Sequence, residues 1–136
     1  YTCLITFNNI IKESYIDDLL SVVVGPEIIS GSTRMKSGTA TKMILNMIST
    51  TAMIKSNKIY KNYMVDLKVS NNKLKNRAIK IINDLTGLSK VKSEKLLKLA
   101  KNDVKVSLVM NHLSISYKQA LAELKKCDGN LRKILY

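Results

Sequence analysis

The chain has 136 residues, 46% of them apolar, so it is long enough for one ordinary domain and too apolar to be disordered. Its net charge of +13 suggests nucleic acid, but the lysines are spread along the chain, and one Phe with no Trp gives no platform for stacking bases. We therefore expect solvated lysines and no nucleic-acid partner, and no apolar run approaches the roughly 20 residues of a membrane span.

Two short apolar segments open the chain, at residues 2–7 (TCLITF) and 19–25 (LLSVVVG). Both are rich in β-branched residues and end at turn formers, as buried strands do. Their nearly continuous apolarity predicts strands covered on both faces, which is typical of a parallel α/β sheet. The first strand begins directly after Tyr1 without a cap, so we expect this chain to start inside a larger protein.

Residues 25–42 (GPEIISGSTRMKSGTATK) form a loop rich in glycine and hydroxyl side chains that leads into a predicted helix. Apolar residues recur every three or four positions from Met43 to Met53, which is a helical pattern. Open α/β sheets bind ligands where such a loop follows a strand, and the free amides of a helix N-terminus suit an anion such as phosphate. The side chains that would add hydroxyls and positive charge are Ser32, Thr33, Arg34 and Lys36.

When the loop is considered alone, a purely structural interpretation fits it as well as an anion-binding one. Ser32 or Thr33 would then cap the helix, and the two cations would be solvated. Glu27, after the strand end, would either orient a substrate hydroxyl or tie down the loop, and we favour the second role. The loop lacks the GxxxxGK[ST] spacing of nucleotide-binding phosphate loops, which disfavours an NTPase.

The rest of the chain is predicted to be helical after a loop or short extended piece at residues 56–67. Ser70 is a candidate N-cap for a helix that stops at Gly87, and Ser93 and Ser116 suit later N-caps. Short connections between helices require a compact bundle, so we predict domains at residues 1–70 and 71–136. The later helices are predicted at residues 91–100, 104–113, 116–127 and 130–135.

No metal or cofactor site is expected from the residue pattern. Cys3 and Cys127 lie far apart without metal-ligand spacing, so neither zinc nor a disulfide framework is indicated, and a reducing, cytoplasmic compartment is the expectation. His112 is the only histidine and has no titratable neighbour in sequence, so a structural or exposed role outweighs catalysis.

One long segment carries a family resemblance. Residues 23–56 (VVGPEIISGSTRMKSGTATKMILNMISTTAMIKS) resemble the signature segment of the N-acetylmuramic acid 6-phosphate etherases, and residues 93–135 resemble that family's UBA-like helical module. The resemblance implies an α/β fold in which the C-terminal part of a sugar isomerase (SIS) α/β/α sandwich, with a parallel sheet, precedes a small UBA-like bundle.

The resemblance also implies a function. The etherases are lyases of cell-wall recycling that release D-lactate from N-acetylmuramic acid 6-phosphate, as cytoplasmic homodimers without metal or cofactor. Their two catalytic glutamates are expected upstream of Tyr1, so this fragment alone is expected to be inactive. Ser32, Thr33 and Arg34 match sugar-phosphate-binding positions of related proteins, with Lys36 and Glu27 as weaker candidates.

An alternative function comes from a second group of proteins. The glucokinase regulatory proteins share a similar GPE…GSxRMK element on the same fold and bind sugar phosphates without catalysis. The chain also departs from the etherase pattern SGKVYGNLMVD, because Asn57 and Lys61 stand where glycines are usual and Tyr63 where leucine is usual. Lysine tolerates positive φ poorly, so we expect a different local turn at Lys61.

Overall fold

The computed structural model describes residues 1–136, which form two compact units, Tyr1–Thr51 and Ala52–Tyr136. The mixture of strands and helices confirms the predicted α/β class. The domain division at residue 70 stays a prediction. The elements in chain order are β1 (Cys3–Thr6), β2 (Asp18–Ser21), α1 (Lys36–Lys55), β3 (Ile59–Tyr60), β4 (Tyr63–Met64), α2 (Asn72–Thr86), α3 (Lys90–Leu99), α4 (Val104–Leu113), α5 (Tyr117–Lys126) and α6 (Arg132–Leu135).

β1 and β2 pair in parallel, in a register that sets Cys3 opposite Asp18 and Thr6 opposite Ser21. The parallel pairing is as predicted, but the expectation that both faces are covered is wrong for this chain. Leu4 and Leu20 are each 38% exposed, and the buried apolar side chains of the first unit are only Ile16 and Ile44. Two strands and one helix provide too little packing surface to cover a sheet on both faces.

β3 and β4 form an antiparallel hairpin closed by Lys61 and Asn62, in the segment predicted as a loop or short extended piece. Lys61 has φ 52° and Asn57, just after α1, has φ 56°, so both adopt the left-handed backbone that glycine favours. A left-handed residue first in a two-residue hairpin loop matches the right-handed twist of its strands. Lys61 therefore holds the hairpin at the cost of backbone strain.

Side-chain caps define the helices of the second unit. Asn71, not the predicted Ser70, caps α2 by accepting a hydrogen bond from the Leu74 amide at 2.9 Å, and Gly87 ends α2 at φ 72° as predicted. Ser116 caps α5 as predicted, in a reciprocal capping box with Gln119.

Ser93 is not the N-cap that its sequence position suggested. It lies inside α3, fully buried, and its hydroxyl donates to the Leu88 carbonyl oxygen at 3.4 Å. Ser89 takes the capping role, because its side chain accepts from the Lys92 amide. Serine suits both positions, and the packing of α3 against its neighbours selects between them.

The hydrophobic core lies in the second unit, where α2, α3, α4 and α5 pack on one another and on β3. Ile82, Leu97 and Val109 are fully buried, and burial of each such side chain stabilises the fold by roughly 1.5–3 kcal/mol. Val65, just after β4, is also buried at 1% exposure. The segment after the hairpin is therefore anchored on the helices.

Replacing Lys61 by Gly should stabilise the second unit. Glycine adopts positive φ without the Cβ penalty, and this gain exceeds its larger entropy loss on folding, so we expect the free energy of unfolding to rise by about 0.5–1 kcal/mol. Urea denaturation of the full chain, followed by circular dichroism, measures the change. As a control, Asn62→Gly lies in the same turn without positive φ and should destabilise; stabilisation by both substitutions would contradict the strain at Lys61.

Candidate functional site

A cleft of about 510 Å³ lies in the first unit at the carboxyl ends of β1 and β2. Its walls come from the residues that follow each strand, from the glycine-rich loop and from the first turns of α1. This position, beyond the carboxyl ends of parallel strands, is where open α/β sheets bind ligands. We call it the strand-end cleft; its polar lining consists of Thr6, Asn8, Glu27, Thr33, Ser37 and Thr41.

The carboxylate of Glu27 closes the N-terminus of α1. Its two oxygens accept hydrogen bonds from the amides of Lys36, at 2.9 Å, and Ser37, at 3.0 Å. The Gly38 amide donates to the Thr33 carbonyl oxygen at 2.8 Å, and the amide of Met35, just before the helix, donates to the Ser32 carbonyl oxygen at 3.3 Å. All four amides that a helix start normally leaves free therefore have partners within the chain.

This arrangement corrects the expectation that the helix amides are available to bind an anion. The amides of Ser37 and Lys36 lower the pKa of Glu27, so the carboxylate is ionised at neutral pH and places a negative charge at the helix start. A phosphate at the same position would compete with that charge. Of the two roles considered for Glu27, the structure contains the contacts that tie down the loop.

The five residues singled out in the sequence do not converge on one site. Thr33 is exposed and lines the strand-end cleft together with Glu27. Ser32 is half-buried and Arg34 is exposed, and neither lines the cleft. The Lys36 Nζ donates a hydrogen bond to the Pro26 carbonyl oxygen at 2.8 Å, so Lys36 also ties the loop to the start of α1.

Four cleft residues were missed by sequence reasoning. Thr6 and Asn8 come from the end of β1, where the Asn8 amide donates to the Thr6 hydroxyl at 3.2 Å. Ser37 and Thr41 lie one turn apart on α1, and the Thr41 hydroxyl donates to the Ser37 carbonyl oxygen at 2.8 Å. Thr6 and Asn8 could have been found from the predicted parallel pairing, because it brings the residues after both strands to one edge of the sheet.

The chemistry of the cleft is that of a binding surface. Hydroxyl and amide side chains can hydrogen-bond a polyhydroxylated ligand, but Glu27 is the only carboxylate and no histidine, lysine or cysteine lines the cleft. The Glu27 carboxylate is held by two helix amides, which lower its pKa and make it a weak base. No cluster of three or more His, Cys, Asp or Glu side chains in the chain is arranged to hold a metal ion.

His112 lies in the second unit and is exposed. It borders a small hollow of about 190 Å³ together with Tyr60, Lys61 and Asn111. No carboxylate or thiol lines that hollow, so the histidine has no partner there for catalysis. The position agrees with the structural or exposed role expected from the sequence.

Comparisons with known proteins identify relatives along most of the chain. Residues 61–128, half of the chain, match the family model of the C-terminal lid domain of glucokinase regulatory protein. N-acetylmuramic acid 6-phosphate etherase 1 of Bacillus licheniformis is 52% identical over 121 residues, which are 88% of this chain and 39% of the relative. The Bacillus subtilis etherase is 50% identical over 119 residues, 88% of this chain and 39% of the relative.

A third relative comes from another genus. The N-acetylmuramic acid 6-phosphate etherase of Mycoplasma mycoides is 47% identical over 119 residues, again 88% of this chain and 39% of the relative. The resemblance found in the sequence is thereby confirmed. The chain spans about two fifths of the length of the curated relatives it matches.

The cap formed by Glu27 should depend on pH. Because the pKa of Glu27 is lowered in the folded chain, its contribution is fully present above the ordinary value of 4.5 and is lost as the pH falls through the lower folded value. We expect the protection factors of the Lys36 and Ser37 amides, which compare each exchange rate with the intrinsic rate at the same pH, to fall below that transition, as NMR hydrogen exchange would measure. Glu27→Gln should abolish the transition and Glu13→Gln should leave it unchanged; persistence in Glu27→Gln would contradict the cap.

Proposed function

This chain belongs to the family of the C-terminal lid domain of glucokinase regulatory protein, and we propose that it is part of an N-acetylmuramic acid 6-phosphate etherase. One observation carries the proposal. Eight relatives that are 42–52% identical along 85–89% of this chain all bear that name. Identity at this level along nearly the whole chain supports a shared activity in the complete protein.

The proposed reaction is that of a carbon–oxygen lyase. It cleaves the D-lactyl ether of N-acetylmuramic acid 6-phosphate and gives N-acetylglucosamine 6-phosphate and D-lactate, within amino-sugar catabolism and peptidoglycan recycling. The strand-end cleft offers one carboxylate, already bound to helix amides, and no second titratable group. This agrees with a division of labour in which the catalytic glutamates come from sequence that precedes this chain, while the chain contributes to substrate binding.

Substrate binding is proposed for the GSTR segment. Thr33 lines the strand-end cleft, and Arg34 is an exposed cation that forms no ion pair within the chain, so it is available to a sugar phosphate. Ser32 completes this proposed set. Lys36 and Glu27 act one step further from the substrate, because their charged ends hold Pro26 and the start of α1.

The proposed architecture places residues 1–70 in a SIS sandwich and residues 71–136 in a UBA-like module. The exposed apolar surface of the first unit supports it: α1 has 20 residues and buries only Ile44, while Met43 and Met47 are 60% and 59% exposed. A helix that is apolar on several faces is normally enclosed by neighbouring elements. Further sheet and helix layers of a complete cytoplasmic homodimer would enclose it.

A non-catalytic sugar-phosphate regulator is the second candidate. The match of residues 61–128 to the lid domain of glucokinase regulatory protein favours it. The names of the relatives favour the etherase, because their similarity covers a larger share of the chain. The two candidates differ in one observable, since a regulator binds a sugar phosphate without releasing lactate.

A chimera tests the proposal and the role of Arg34. The part of the Bacillus subtilis etherase that precedes the matched region is joined to this chain, and D-lactate release from N-acetylmuramic acid 6-phosphate is measured. We expect an active enzyme. Arg34→Ala should raise KM by about tenfold or more, since a charge-assisted hydrogen bond to phosphate contributes roughly 1.5–3 kcal/mol, with a smaller effect on kcat.

Arg77→Ala is the matched control, because it removes an arginine from α2 in the second unit and should leave KM unchanged. An active chimera whose KM is insensitive to Arg34→Ala would remove Arg34 from the site. A folded chimera that binds the substrate but releases no lactate would favour the regulator. A second chimera carries, in place of this chain, the matching region of the Bacillus licheniformis etherase. Its activity shows whether an enzyme joined at this position can work at all.

A further inference from the structure

Residues 65–70, between β4 and α2, alternate between inward and outward side chains as a β-strand does, with a period of two residues. Val65 is buried, and the next two inward side chains pack against the same core while being partly covered. The inward set is Val65, Leu67 and Val69, and the outward set is Asp66, Lys68 and Ser70. The core therefore holds this segment in a strand-like course.

The backbone of this segment has an open hydrogen-bonding edge. Val65 and Asp66 donate their amides to the Lys58 carbonyl oxygen, at 3.0 and 3.4 Å, and pairing stops there. The amides of residues 67–70 donate to no group of the chain. Strand-like backbone with unpaired amides and carbonyls is a template to which another extended chain can add.

A groove runs beside this edge. One hollow of about 540 Å³ lies between residues 65–69 and the connection from α3 to α4, and another of about 380 Å³ continues it towards the start of α2. Val69 and Asn102 line both hollows, so they form one channel, which we call the 65–72 groove. The two hollows together give an extended peptide of several residues room along the edge.

The charge of the 65–72 groove is positive. Four lysines and two carboxylates line it: Asp66 pairs with Lys58 at 3.3 Å, whereas Asp103 keeps its negative charge while it accepts the Val106 amide as the cap of α4. Lys68 has no carboxylate partner, and Lys101 lies over the ring of Tyr117 at 4.7 Å from its centroid. The cations that line the groove are Lys68, Lys75, Lys98 and Lys101, of which Lys75 and Lys98 pair with Glu94 at 2.7 and 3.8 Å, so Lys68 and Lys101 are the ones without a carboxylate partner.

We propose that the 65–72 groove binds an extended acidic peptide segment of a partner protein by strand addition along residues 67–70. The open edge supplies main-chain hydrogen bonds, which fix the direction and register of the segment. Lys68 and Lys101 supply the preference for acidic side chains. The apolar floor, formed by Leu67 and Val69, suits alternate small apolar residues of the same peptide.

The experiment uses the full 136-residue chain and a fluorescein-labelled octapeptide that alternates Glu with Val or Thr. We expect saturable binding by fluorescence anisotropy, together with slower hydrogen–deuterium exchange of one alternate pair of amides, either Leu67 and Val69 or Lys68 and Ser70, because only alternate amides of an extended strand face one edge. A control peptide has the same sequence with N-methyl groups on alternate amides. It keeps its charge, but it can no longer donate hydrogen bonds along one edge. If the methyl groups fall on the pairing edge, binding should be lost; methylation of the other set of amides should be tolerated.

Matched charge reversals test the cations. Lys68→Glu should weaken binding about tenfold, since it replaces attraction by repulsion at one exposed contact. Lys95→Glu changes the charge equally on the exposed surface of α3, outside the groove, and should have no comparable effect. Equal loss in both variants would overturn the proposal, because binding would then reflect only the net charge of +13.

Three other results would also overturn it. The first is peptide binding without protection of either alternate pair of amides among residues 67–70. The second is protection of the same amides by an oligonucleotide of equal charge, with displacement of the peptide, which would make the groove a nucleic-acid surface. The third is concentration-dependent protection without peptide, accompanied by a doubled mass in light scattering, which would assign the edge to a second copy of this chain.

Discussion

The pairing of the Glu27 carboxylate with the first amides of α1 sets the geometry of the strand-end cleft. It joins the residues after β2 to the start of α1, and Lys36 reinforces the same junction through Pro26. The glycine-rich loop is thereby held between two fixed points, with Thr33 turned towards the cleft. Since the helix amides are occupied, any anion bound in this cleft must be recognised by side chains rather than by the helix dipole.

The two units differ in how far each is complete as a packed structure. In the second unit, side-chain caps begin most of the helices and an apolar core joins them. Its central side chains, Ile82, Leu97 and Val109, are almost completely buried. In the first unit, α1 exposes most of its apolar residues, so local structure is present without the burial that stabilises it. The cleft therefore lies on the unit with less internal packing, and its precision depends more on the contacts of Glu27 and Lys36.

Sequence patterns predicted what local interactions determine. The parallel strands, the helical run after Met43, the stop at Gly87 and the cap at Ser116 each follow from a few adjacent residues. The cap by Glu27 spans nine positions and has no short-range signature, so a loop that looked ready for phosphate contained its own anion. Ser70 and Ser93 were misplaced as caps for a related reason, because packing selects among neighbouring hydrogen-bonding side chains.

The excess of lysine acts on association more than on stability. In the second unit, Asp66, Asp84, Glu94 and Glu123 each pair with a lysine, and these pairs are mostly exposed, so each contributes little to folding. These pairs neutralise their carboxylates, so the remaining lysines give the unit a net positive charge. A field of one sign raises the encounter rate with acidic partners without fixing where they bind. An exposed backbone edge, as at residues 67–70, adds the directional hydrogen bonds that fix the position.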